Sequence, residues 1–204
     1  MKYTKNFHFA FIAIALFTGE IQMTTAQSAS HVIKWVVEKN STLRVAGKSN
    51  VNSFTCKINV QAEKDTITCM NNASKSISLS GDIQIDVISF DCQSNLITRD
   101  LRKTLKADQY PKMTIRFLTL ECMPVLHNKT ELIKGWVEVE LAGVAKKFEL
   151  CYSFSRATSG YMQLDGGKSF SFSDFKLSPP RKLAGLIRIK DAFDVNFQLI
   201  LRSI

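Results

Sequence analysis

Phe148-Glu149-Leu150-Cys151-Tyr152-Ser153-Phe154-Ser155 is the stretch that decides how this chain folds. Large apolar side chains fall on every second residue, and Glu149, Ser153 and Ser155 fall between them. A period of two is the pattern of a strand with one face buried. Upstream, Val137, Val139 and Leu141 alternate with Glu138 and Glu140, and Ala142-Gly143 supplies a turn, so the two runs read as a hairpin. Farther out, Phe54, Cys56 and Ile58 share a face, as do Ile83, Ile85 and Val87, and Val195, Phe197, Leu199 and Leu201. Ile88, Phe90 and Cys92 fall on the opposite parity to Val87, which predicts a bulge there. Phe170 and Phe172 follow Asp165-Gly166-Gly167, a turn signal. About eight such runs of one-sided character predict an all-β antiparallel sandwich or closed barrel in one domain.

One segment departs from that period. Ile97, Leu101 and Leu105 recur at i, i+4 and i+8, while Arg99, Asp100, Arg102, Lys103 and Lys106 occupy other faces. The spacing predicts a short amphipathic helix with Thr98 as N-cap, ending before Tyr110-Pro111. Such a helix suits a barrel mouth, as a lid or as a plug.

The chain's 204 residues are 45% hydrophobic and 22% charged, a globular composition. Residues 1–26 read as a secretory signal: Lys2 and Lys5 precede an apolar run from Phe9 to Phe17, too short to span a bilayer, and Thr24-Thr25-Ala26 offers a cleavage site. The expected product is a domain of residues 27–204, periplasmic or secreted. Losing Lys2, Lys5 and Glu20 leaves it a net charge one below the whole chain's +9. Of the three His in the chain, only His31 and His127 would remain, against 14 Phe. Neither lies beside a recognisable nucleophile, and no metal-ligand spacing or paired-carboxylate motif stands out, so the residues point away from an enzyme and away from a metal or other cofactor.

Two stretches carry a family resemblance. Ile97-Thr98-Arg99-Asp100-Leu101, continuing through Tyr110-Pro111 to Ile115 and Phe117, is similar to the helix-to-strand element of the YceI family. Phe172-Ser173-Asp174-Phe175-Lys176-Leu177-Ser178-Pro179-Pro180 resembles that family's loop before the closing strand. Gly135 with Val137, Val139, Leu141 and Gly143, together with Trp35 and Ser49 to Phe54, also fits. Leu101-Arg102 stands where many relatives carry His-Leu, and Lys176 replaces a frequent Gly. The resemblance implies an eight-stranded, lipocalin-like antiparallel β-barrel with one short helix. It also implies an apolar interior that holds a polyisoprenoid (quinone-like) or other long-chain amphiphile for transport, storage or sequestration. Candidate ligand-binding residues are then Trp35, Phe54, Phe90, Phe117, Phe148, Phe154, Phe172 and Phe175, with Arg99, Asp100, Tyr110 and Asp174 as polar groups for a head group. An eight-stranded barrel can also be filled by its own side chains, so a structural or interaction protein of the cell envelope without a ligand is the alternative.

Five cysteines in an exported chain predict a disulfide and at least one thiol left over. Cys56 and Cys92 each follow a Phe by two residues on inward parity and form the leading pair. Cys69, Cys122 and Cys151 remain, with Cys151 on outward parity the leading free or intermolecular thiol. Cations gather at Arg99, Arg102, Lys103, Lys106 and Lys112, and at Lys176, Arg181, Lys182, Arg188 and Lys190. They suit transient contact with an anionic membrane surface or simple solubility. The leader and the lack of interleaved aromatic and basic residues argue against nucleic acid. Monomer and dimer are both compatible with the sequence.

Overall fold

A computed structural model of the protein describes residues 31–59, 65–71, 76–125, 129–157, 160–182 and 186–204. The expected leader (1–26), His127 and the side chains of His31, Arg181 and Lys182 lie outside what is described. The strands are β1 (His31–Val37), β2 (Thr42–Ser49), β3 (Ser53–Asn59), β4 (Thr66–Asn71), β5 (Ile77–Ser80), β6 (Asp82–Asp86), β7 (Lys112–Leu120), β8 (Glu131–Leu141), β9 (Val144–Arg156), β10 (Met162–Ser171), β11 (Arg181–Lys182) and β12 (Ile187–Ser203). Among the described residues one α-helix, α1 (Asn95–Thr104), joins β6 to β7 across a short 3-10 turn.

The segments collapse onto eight antiparallel strands because three strands are each built in two pieces. β1 and β2 both pair with β12, with Trp35 opposite Ser203 and Leu43 opposite Phe197, and are halves of one strand kinked at 38–41. β3 and β4 pair with β2 and β1 in turn, and β5 and β6 both pair with β7. The kink between β5 and β6 is Gly81, at φ 142°, where a Cβ would lie 2.3 Å from the Thr66 carbonyl oxygen. Only glycine tolerates both conditions. β7 to β10 and β12 follow as single strands, and β12 returns to β1, closing the barrel. On the outer face Arg116 pairs with Glu138 at 2.8 Å and Glu140 at 3.0 Å.

Three local expectations are corrected. Asp165-Gly166-Gly167 is no turn; it lies inside β10, paired with Gln198, Phe197 and Asn196. The glycine serves packing there, since a Cβ on Gly166 would come within 2.2 Å of the Phe197 ring. The parity change after Val87 is not a bulge: β6 stops at Asp86, and a 3-10 turn over Val87–Ser89 buries Val87 and leaves Ile88 exposed. Thr98 is not the helix cap. α1 begins at Asn95 with Ser94 before it, and Thr98 is buried one turn in, its Oγ1 accepting a hydrogen bond from the Cys92 amide at 3.0 Å.

Candidate functional site

The inward stripe of α1 covers one end of the barrel. Leu101 and Leu105 are buried and Ile97 packs against the core. Opposite the helix, Phe172–Phe175 forms a single 3-10 turn that buries Phe172 and Phe175. Ala142 and Gly143, both at positive φ, turn the β8–β9 hairpin at the same end.

Beneath this cover lies a cavity lined by Phe90, Leu101 and Leu105 at the top and by Leu43, Phe117, Tyr152, Phe197 and Leu199 at the bottom. Val139, Leu150, Phe170, Phe193 and their neighbours form its walls. Among the lining side chains only Lys168 and Tyr152 carry a nitrogen or oxygen atom. Tyr152 lies eight residues along β9 from the hairpin at Val144. At about 3.3 Å per residue and a barrel tilt of about 40°, the floor is about 20 Å below the hairpin. The cavity volume is about 90 Å³.

Below the floor the described side chains pack on one another. Trp35 packs on Phe154 with ring centroids 6.0 Å apart, Phe154 on Tyr152 at 6.3 Å, and Val37, Ile67, Cys69, Ile133 and Leu201 are all buried around them. The interior is therefore divided: an apolar bore under the helix and a filled core beyond Tyr152.

Against that division the sequence candidates separate. Phe90, Phe117, Phe172 and Phe175 stand on the cavity wall. Phe148 is just behind it, edge-on to Phe170 at 4.7 Å and tilted on Phe175 at 6.0 Å. Trp35 and Phe154 belong to the filled core. Phe54 is half-buried, and its ring lies where a Cβ on Gly47 would otherwise sit. Arg99 and Tyr110 are exposed on the rim, with the Tyr110 ring over Gly143, and Asp100 is half-buried on α1. Asp174 points away from the bore: it accepts from Lys146 Nζ and, through Oδ2, from the Ser171 amide at 2.9 Å. The Lys146 contact first, and the Ser171 amide second, hold its carboxyl below the usual range. Asp174 thereby fastens the 3-10 turn that carries Phe172 and Phe175.

Neither polar lining residue, Lys168 nor Tyr152, is among the sequence candidates, although the parity of Lys168 with Leu164, Gly166 and Phe170 already turns it inward. β10 pairs with β9 only from Met162 to Gly166. Above Gly166 the two strands part, and Lys168 Nζ lies 5.9 Å from the centre of the Phe148 ring, with Lys146 Nζ 5.6 Å from the same ring.

The Cys56–Cys92 disulfide secures the thinnest part of the wall. Between β3 and the turn after β6 the sheet consists of one bridge, Lys57 N–H to Asp91 O at 2.8 Å and Asp91 N–H to Lys57 O at 3.1 Å. Arg102 on α1 reaches across to donate to the Phe90 carbonyl at 3.1 Å. Cys69, Cys122 and Cys151 are free. Burial pushes the Cys69 thiol up to about 12, so it stays protonated, while Cys122 and Cys151 are exposed.

The family model of the YceI-like domain matches residues 25–201. The chain belongs to that family. No match was found among curated protein sequences. Among solved structures, this YceI-like chain is similar to a polyisoprenoid binding domain from Saccharophagus degradans implicated in plant cell wall breakdown, at 14% identity over 83% of this chain and 98% of that one, TM-score 0.61. It is also similar to BcnA of Burkholderia cenocepacia, at 18% identity over 80% of this chain and 98% of the other, TM-score 0.57. At these identities the likeness concerns the fold, the eight-stranded YceI-like barrel.

Proposed function

We propose that this YceI-like protein is an envelope or secreted lipid-binding protein that holds one long-chain amphiphile, an isoprenoid or a similar chain, in the bore beneath α1. The observation that carries the reading is the cavity itself: it lies beneath α1, and every lining side chain except those of Lys168 and Tyr152 is apolar. Each methylene taken out of water there contributes about 0.8 kcal/mol, so a chain that fills the depth offsets the mobility it loses. The polyisoprenoid binding domain among the similar structures supports the same reading. The disulfide fits an oxidising compartment, in line with a periplasmic or secreted protein. Organic extraction of protein purified from a lipid-replete host is expected to release a long-chain amphiphile detectable by mass spectrometry. An empty extract, with no uptake of isoprenoid quinones or fatty amides, would favour the ligand-free structural role instead.

Loading would occur at the helix end. Val51, Ile88, Leu96, Tyr110 and Leu186 are exposed there, and Arg99, Lys103, Lys106 and Lys112 are exposed beside them. Apolar side chains among cations suit an anionic bilayer surface, at about 1 kcal/mol per cation. The double substitution Lys103→Gln/Lys106→Gln is expected to weaken co-sedimentation with vesicles containing an anionic lipid by about 30-fold at low salt. Binding that ignores these changes, salt and lipid charge would remove membrane docking from the reading.

A further inference from the structure

Above Tyr152 the barrel wall consists of two four-stranded sheets. β6, β7, β8 and β9 pair in turn on one side, and β10, β12, β2 and β3 pair in turn on the other. The sheets meet along two edges that are joined in different ways. At the first edge the Cys56–Cys92 disulfide ties β3 to the segment after β6, beside the Lys57–Asp91 bridge. α1 is fastened to this same edge, through Thr98 to the Cys92 amide and Arg102 to the Phe90 carbonyl. At the second edge the ladder between β9 and β10 ends at the Tyr152–Gly166 pair. From Val144 to Leu150 on β9 and from Lys168 to Ser171 on β10 no residue pairs across, although β9 stays paired with β8 and β10 with β12.

Side chains close this second edge. Phe148 on β9 lies edge-on to Phe170 on β10 and tilted on Phe175, and Lys146 and Lys168 cover its ring. The Phe172–Phe175 turn rides on the β10 side, where the Ser173 amide donates to Asp191 Oδ1 of β12 at 3.0 Å. One ion pair, Lys146 with Asp174, ties that turn to β9. Phe170, Phe175 and Lys168 also line the cavity, so the side chains that fill the seam are part of the cavity wall.

We propose that the ligand enters and leaves sideways through the β9–β10 seam at the helix end, the upper barrel opening there about the Cys56–Cys92 edge, with the Lys146–Asp174 ion pair as its clasp. The inference rests on the lipid-binding reading and adds the route to it. Opening between β8 and β9 would break a ladder of eleven paired positions, whereas opening the seam breaks no ladder pair. It costs the ring contacts of Phe148 and one ion pair whose side chains are 45% and 24% exposed. A hydrocarbon chain sliding into the gap replaces those ring contacts with its own, so apolar surface stays covered as it passes. The chain can then leave broadside, and α1 keeps its bonds to the disulfide edge throughout.

The test follows the transfer of deuterated hexadecanol from loaded full-length protein to excess phosphatidylcholine vesicles, read by mass spectrometry after the two are separated. Asp174→Asn and Lys146→Gln are each expected to speed transfer up to about fivefold, the factor that one partly exposed ion pair supplies. Combined, they should be no faster than either alone, because both break the same clasp. High salt should speed wild type and leave Asp174→Asn unchanged. Arg116→Gln, which breaks the ion pairs to Glu138 and Glu140 on the outer face, is expected to transfer at the wild-type rate. In a Cys122→Ser/Cys151→Ser background, Lys146→Cys/Asp174→Cys bridged by a short bismaleimide should transfer more slowly than wild type. Equal rates in wild type, the clasp variants and the bridged protein overturn the seam as the route while leaving lipid binding intact. Acceleration by Asp174→Asn without Lys146→Gln also overturns it, since the turn alone would then be responsible. Failure of wild type to load hexadecanol, isoprenoid quinones or fatty amides overturns the lipid-binding reading and this inference with it.

Discussion

Replacing Cys56 and Cys92 together by alanine is expected to lower the free energy of unfolding by about 4 kcal/mol, the chain-entropy value for a 36-residue separation. For a domain of this size that corresponds to a fall of about 10 °C in the unfolding midpoint. Alanine is the right replacement because both side chains are buried, and serine would add an unpaired hydroxyl. The effect should also be local. With the crosslink gone, β3 keeps one bridge to Asp91, and that bridge must hold Phe90 on the cavity wall. Thr98 and Arg102 couple the same segment to α1 through the Cys92 amide and the Phe90 carbonyl. Hydrogen exchange at the amides of Lys57, Asp91 and Cys92 is therefore expected to accelerate more than exchange in β8 and β9, which share eleven paired positions. Lipid retention should fall at temperatures where the barrel is still folded. An unchanged midpoint with uniform exchange would contradict this role for the crosslink.

The barrel is legible because the central run of β9 alternates strictly. Phe148, Leu150, Tyr152 and Phe154 are all buried, and the residues between them are not. The amphipathic spacing of α1 was equally direct, since Leu101 and Leu105 face the bore as their period requires. What parity does not carry is depth along the barrel axis. Phe117 and Phe154 read alike in sequence, yet one lines the bore and the other lies under its floor, because that difference depends on where each strand crosses the Tyr152 level. Glycine is ambiguous for a related reason. Gly166-Gly167 has the composition of a turn, and its actual cause, the Phe197 ring lying over Gly166, comes from a strand thirty residues away. Asp174 reads as a ligand-facing carboxylate when its loop is taken alone; Lys146, on another strand, turns it into the fastening of the Phe172–Phe175 turn.

The division of the interior at Tyr152 can be tested by two substitutions with opposite consequences. Phe154→Ala removes a ring that is 1% exposed and packed between Trp35 and Tyr152. In a filled core the surroundings cannot collapse into the space, so the cost is expected to be about 3–5 kcal/mol of stability. The bore above is untouched, and lipid content per folded molecule should stay close to that of wild type. Val139→Phe adds volume on the wall of the bore. Overpacking a dense core costs about 1–3 kcal/mol, but here the new ring has open space to enter, so the loss is expected to be below about 1 kcal/mol. A cavity of about 90 Å³ cannot hold both that ring and a ligand, and lipid content should drop severalfold. Denaturant unfolding and lipid extraction on the same two preparations give the comparison. If Val139→Phe proved the more destabilising, the region beneath α1 would be packed core. If Phe154→Ala emptied the barrel of lipid while Val139→Phe did not, the ligand would lie on the other side of Tyr152.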